Sequence, residues 1–142
     1  MDENLLEIRE FKGPGYRPII DFSDWRVAIL NYIEEIQPDQ IVRLEKHNET
    51  DEVFVLLSGQ GILFIGKGSS GVDAIYPQIL ESGKVYNVKM GVWHAVVLSH
   101  DGSVLIVENR NTSTVNSAYS YLNPDQREVI VQASRNAIPD WR

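Results

Sequence analysis

The sequence predicts an all-β domain, a barrel or sandwich of short strands, with one short helix near the carboxyl end. Three observations carry this. Short apolar runs fill residues 26–108, compact turn signals separate them, and Asn123-Pro124-Asp125-Gln126 marks a helix start. Many short strands at such spacing belong to sandwiches and barrels.

Residues 1–25 come first and contain GPGYRP, a stiff and poorly helical stretch that fits an arm or edge strand wrapping the barrel. Strands are expected over 26–32, 40–45, 52–57, 61–66, 76–80, 85–88, 93–98 and 103–108. The punctuation is SGQG after Leu57, GKGSSG after Ile65, ESGK after Leu80 and SHDGS after Leu98. Glycine and Asp-Gly pairs supply the positive φ angles of tight hairpins. Phe54, Ile62 and Phe64 read as barrel lining. Near the end, Asn123 is an N-cap, Pro124 suits the first turn, and Asp125 meets the positive dipole end. A short amphipathic helix is expected over 124–135, with Val129, Ile130 and Ala133 inward. The tail is either loose or docked through Trp141.

At 142 residues and 43% hydrophobic content, the chain fits one domain with a real core. It divides into an arm at 1–25, a barrel at 26–110, and a helix and tail at 111–142. Two domains would each be too short to close a barrel. The formal charge is −7, from 20 acidic against 13 basic residues, with no basic cluster. That excludes a nucleic-acid footprint, which gathers Lys and Arg on one face, and a polybasic membrane contact. With no cysteine, thiolate metal sites, disulfides and thiol nucleophiles are excluded together. The start, MDENLLEIREFKG, is acidic where a signal peptide is basic, and no apolar run spans a bilayer. A cytoplasmic location is expected. Exposed sheet edges in so small a barrel suggest a homodimer, with contacts around residues 14–20 and the Ile19-Ile20 pair.

The chemistry gathers in R-L-E-K-H-N-E-T-D-E-V-F-V-L-L-S-G, residues 43–59. Alternate residues of a strand share a face, so Glu45 and His47 point one way, as do Ile41 and Arg43 if the strand runs on. After a turn at 48–51, Glu52 opens the next strand and can set its carboxylate beside them. Gly91-Val92-Trp93-His94 offers a second imidazole at the start of a later strand, Gly91 permitting the sharp turn that aims His94 inward. Two imidazoles with one or two carboxylates form a mixed N/O set suited to a divalent transition metal. Glu49 sits in the turn and reads as solvated, or as the substitute ligand if Glu45 points outward. Glu108-Asn109-Arg110 ends a strand and reads as a solvated turn, with the pocket mouth as the alternative. His100, beside Asp101-Gly102, reads as exposed.

These residues resemble the two motifs of the cupin superfamily. The first runs His-x-His, three or four residues, Glu, six residues, Gly. Here Glu45-x-His47, Glu52 and Gly59 keep that spacing, with Glu45 in place of the first histidine. The second motif keeps Gly91 and His94, with Lys89 in place of proline and Leu98 in place of asparagine. The resemblance spans about residues 40–108. It implies a double-stranded β-helix, or jelly-roll barrel, of the small single-domain kind, often dimeric. It also implies that His47, Glu52 and His94, with Glu45, bind Mn, Fe, Ni, Zn or a similar ion.

Such a metal can act as a Lewis acid on a carbonyl or hydroxyl, or, as iron, activate dioxygen. The expected function is a metal-dependent enzyme (an isomerase, lyase or dioxygenase) acting on a small, oxygen-rich, anionic metabolite. Glu45 is the candidate acid/base if it stands outside the ligand set. Arg43, Tyr86 and Trp93 are candidate substrate-binding residues, an inward arginine offering bidentate recognition of a carboxylate or phosphate. The alternatives are a barrel that binds or senses a small molecule without turnover, and a scaffold whose metal only stabilises it.

Overall fold

The computed structural model describes residues 1–142. Its strands are β1 (Gly15–Phe22), β2 (Trp25–Asn31), β3 (Arg43–His47), β4 (Glu52–Ser58), β5 (Gly61–Lys67), β6 (Ala74–Ile79), β7 (Tyr86–Val88), β8 (Trp93–Leu98), β9 (Ser103–Asn109) and β10 (Ser117–Tyr121), followed by helix α1 (Pro124–Ala137). Each predicted strand is present. The one predicted at 40–45 shifts to Arg43–His47, because Pro38–Gln40 form a 3-10 turn first. β1 lies within the predicted arm and is an edge strand there. β10 carries the partly buried SAYSY, whose side chains show no apolar alternation to read.

The strands form two five-stranded antiparallel sheets, ordered β1-β2-β9-β4-β7 and β10-β3-β8-β5-β6. Facing each other, they make the jelly-roll barrel. Period-two alternation fills its interior: Ala28 and Leu30 from β2, Phe54 and Leu56 from β4, Val96 and Leu98 from β8, Val104 and Ile106 from β9. A second core lies outside the β10-to-β6 sheet, where Leu44, Ile62, Phe64, Trp93 and Val97 pack against Ile130 and Ile138. Ile62 and Phe64 therefore do not line the barrel; their neighbours Leu63 and Ile65 do. β5 is buried on both faces, so hydrophobicity alone could not tell its two sides apart.

Helix α1 covers that outer core. Asn123 and Gln126 form a reciprocal capping box at 2.8 and 3.0 Å. Ile130 is fully buried, and Ala133 packs beside it. Val129 is 42% exposed, against expectation, since one residue is a 100° turn of the helix from Ile130. No helix is long and apolar enough to cross a membrane. The tail is docked: Trp141 stacks on His100 and Tyr32, with centroids 4.7 and 5.9 Å apart, and His100 Nδ1 lies 3.2 Å from Asp140.

Candidate metal centre

Two turns carry the site, and they are stitched together. The Gly91 N–H donates to the His47 carbonyl at 2.8 Å, and the Met90 N–H to Asp51 Oδ1 at 2.7 Å. Gly91 sits at φ +77°, the left-handed bend that lets the chain turn into β8. Gly59, at φ +67°, ends β4 where a Cβ would meet the Gly102 backbone at 2.7 Å. The Gly91 and Met90 bonds bring the ends of β3 and β8, neighbours in one sheet, against the start of β4 in the facing sheet at one end of the barrel, while Gly59 closes the other end of β4. Glu45 stands opposite His94 in the β3–β8 pairing.

The side chains converge as the alternation predicts. One donor atom each from Glu45, His47, Glu52 and His94 lies within 4.8 Å of the others. Glu52 Oε1 is 3.1 Å from His47 Nε2 and 2.7 Å from His94 Nε2. Glu45 Oε1 is 3.9 Å from both ring nitrogens, and its side chain is 41% exposed, which makes it the outermost of the four. His47, Glu52 and His94 are all buried.

The far ring nitrogens fix the protonation pattern. His94 Nδ1 faces the Val92 carbonyl oxygen at 3.0 Å; a carbonyl only accepts, so Nδ1 carries the proton. Ser117 Oγ donates to the Ser113 carbonyl at 2.6 Å, so its contact with His47 Nδ1 at 2.8 Å is one it accepts. In the neutral state both imidazoles therefore turn an Nε2 lone pair toward one carboxylate. Three electron-pair donors meeting in a buried space need a positive centre between them, a proton or a metal cation. Burial opposes charge on either imidazole, yet hydrogen bonding to Glu52 and its charge outweigh burial and raise both histidine pKa values. Burial likewise works against the Glu52 charge, but the hydrogen bonds from His47 and His94 win and hold its carboxyl below the usual range. The donor set thus fits a divalent transition metal.

The centre opens into a cavity of about 420 Å³, within the range of small-molecule sites. Arg43 lines it, its guanidinium stacked 3.9 Å above the Tyr119 ring and hydrogen-bonded to the Tyr121 hydroxyl at 3.4 Å. The other two candidate pocket residues lie elsewhere. Trp93 neighbours His94 in β8, so the pleat turns it to the opposite face, where it is buried in the outer core and donates to the Gly68 carbonyl at 2.9 Å. Tyr86 packs beside the inner core away from this cavity, its hydroxyl accepting from the Glu81 N–H at 2.9 Å.

Residues outside the predicted site set complete the cavity wall. Glu108 takes the alternative expected for its strand end, the pocket rather than a solvated turn: it is 6% exposed and faces inward. Its Oε1 accepts from the Tyr16 hydroxyl at 2.6 Å and from Arg26 Nη2 and Nε at 2.7 and 3.2 Å. Burial and the nearby Glu52 charge raise the Glu108 pKa against the pull of these partners. Burial, together with the bond to Glu108, raises that of Tyr16. The signal was available in part: Glu108 shares inward parity with Ile106 and Val104, and Arg26 with Ala28 and Leu30. Glu49 and the side chain of His100 lie toward solvent as expected.

No protein-family model matches the sequence, and no curated protein matches it as a relative. Solved structures do match. CapF from Staphylococcus aureus, a capsular polysaccharide assembling protein, gives a TM-score of 0.56 at 16% identity, over 86% of this chain but only 34% of that one. A variant of Streptomyces PAC13 with uridine gives 0.53 at 9% identity, over 82% and 87% of the two chains. HppE in its FeII form gives 0.50 at 15% identity, over 67% and 50%. At such identities the likeness shows the fold alone: the chain has the cupin double-stranded β-helix.

Proposed function

We propose that this cupin barrel holds a divalent transition metal (Mn, Fe, Ni or Zn) on His47, Glu52, His94 and Glu45, and that it is a metal-dependent enzyme acting on a small, oxygen-rich anionic metabolite. The observation that carries the reading is the convergence of two Nε2 lone pairs on the buried Glu52 carboxylate. HppE, a barrel of the same fold, is described with FeII, and PAC13 with uridine, which supports a metal and a small ligand in such a cavity. A metal there would supply Lewis-acid polarisation of a substrate oxygen.

The chain's own residues supply the rest. Ser117 and the Val92 carbonyl hold the two imidazoles in the tautomer that presents Nε2 to the centre. Glu52, locked between them, neutralises much of a bound cation's charge. Arg43, stacked on Tyr119, has no acidic side chain paired with it and is the candidate anchor for a substrate carboxylate or phosphate. Glu45, half exposed beside the centre, is a fourth ligand or the group that takes and returns a proton.

The proposed setting is a cytoplasmic homodimer. The test is metal analysis of protein purified without chelator, followed by turnover assays of the loaded protein on sugar acids, keto acids and ureido compounds. Bound metal with turnover of one of these classes is expected. A protein that neither carries nor takes up Mn, Fe, Ni or Zn contradicts the reading. Metal with tight ligand binding and no turnover would favour the non-catalytic binding barrel instead.

A further inference from the structure

Glu108 belongs to no part of the donor cluster, yet it is among the most deliberately held groups in the cavity. It comes from β9, on the sheet opposite β3 and β8. Its side chain is 3% exposed. All three protein hydrogen bonds to it, from Tyr16 and twice from Arg26, end on Oε1. Arg26 is itself fixed by the carbonyls of Arg110 and Thr112, each at 3.1 Å. Oε2 takes no hydrogen bond from the protein and turns into the cavity, 4.0 Å from His47 Nε2. That oxygen is not sealed off, since the buried side-chain atoms left without a partner are Ser134 Oγ and Trp141 Nε1 alone, so it stands open to a donor from water or from a ligand that enters the cavity.

We propose that Glu108 is a substrate-binding residue: its Oε2 accepts a hydrogen bond from a hydroxyl of the ligand, with Tyr16 and Arg26 as the positioning residues that hold it. The inference rests on the metal-centre reading above and narrows the substrate to a hydroxylated anion. An acidic group goes to Arg43, and a hydroxyl lies between the centre and Glu108. A second carboxylate or a bare carbonyl at that position would set acceptor against acceptor and is rejected.

The anchoring bonds make one variant especially informative. In Glu108→Gln the oxygen of the amide must stay where Tyr16 and Arg26 donate, so the NH2 group falls at the Oε2 position. An acceptor becomes a donor with little change in shape. Zinc affinity is measured by calorimetry for the wild type, Glu108→Gln and Tyr16→Phe. Glycolate and acetate, which differ by one hydroxyl, are then titrated into each zinc-loaded protein.

The wild type is expected to prefer glycolate by at least about tenfold. Glu108→Gln should remove most of that preference while still taking up zinc, with acetate bound at least as tightly as by the wild type because a negative charge near the centre is lost. Tyr16→Phe, which loosens the carboxylate without altering it, should lose part of the preference and keep zinc. A purely structural role would shift all three affinities together. Equal wild-type binding of glycolate and acetate, or a preference that survives both substitutions, overturns the proposal. Loss of zinc from Glu108→Gln alone also overturns it, by making Glu108 a ligand. Wild-type protein that takes up no zinc is a different failure, that of the metal reading itself.

Discussion

Replacing Ser117 by alanine isolates one brace of the centre and leaves every metal-facing atom in place. Ser117 Oγ accepts from His47 Nδ1 at 2.8 Å and donates to the Ser113 carbonyl at 2.6 Å. Losing it frees the His47 ring to rotate and removes the acceptor that keeps the proton on Nδ1. His94 retains its own brace, the Val92 backbone carbonyl, so the damage falls on one imidazole of two. Partners of this kind are worth about 10- to 100-fold in metal affinity, or about 1.4–2.8 kcal/mol. The hydrogen bond itself contributes about 1 kcal/mol to folding, which for a domain of this size lowers the metal-free Tm by about 3 °C. Zinc calorimetry with thermal melts reads both effects. Ser120→Ala is the control: Ser120 Oγ accepts from the Val72 N–H at 3.2 Å, away from the centre, so that change should cost stability without weakening zinc. A Ser117→Ala affinity within threefold of wild type would refute the idea that this hydroxyl orients a ligand.

Three further outcomes are expected. Glu45→Gln should weaken metal binding by about tenfold or more, because an amide oxygen is a neutral and poorer ligand, while Glu45→His should restore it for Zn or Ni; unchanged calorimetric affinity in both variants would put Glu45 outside the shell. Ser134, fully buried in α1 with no partner for its hydroxyl, should tolerate alanine with a gain of about 1 kcal/mol in denaturant unfolding, and a loss of that size would mean the hydroxyl is satisfied. Sedimentation should show a dimer at micromolar concentration, built on the outer side of β1. There Pro18 and the irregular register before Ile20 interrupt the strand edge and favour side-chain contacts over sheet extension. A monomer throughout would remove it.

The donor cluster was legible because its geometry is local. Glu45 and His47 share a strand face, Glu52 follows one turn later, and His94 follows a glycine that bends the chain. The same rule, applied one residue further, would have turned Trp93 away from the cavity, since adjacent strand residues cannot share a face. Ile62 and Phe64 were ambiguous for a different reason: β5 is buried on both sides, and only the docked helix shows which side is the barrel. Glu108 and Arg26 carried inward parity, but a charge at a strand end next to Asn109-Arg110 reads as solvated until its partner is known. That partner set is non-local. Tyr16 reaches Glu108 across 92 residues of sequence, through a β1–β2 register no local pattern announces. β10 was hidden for the same reason, its half-buried SAYSY gaining strand character from pairing with β3.

The proposed centre holds one divalent cation among His47, Glu52 and His94. Anomalous diffraction from crystals grown with zinc locates that cation. A single strong peak is expected about 2.0–2.2 Å from both Nε2 atoms and a Glu52 oxygen. A map empty there, or with its peak at the exposed His100–Asp140 pair instead, would contradict it.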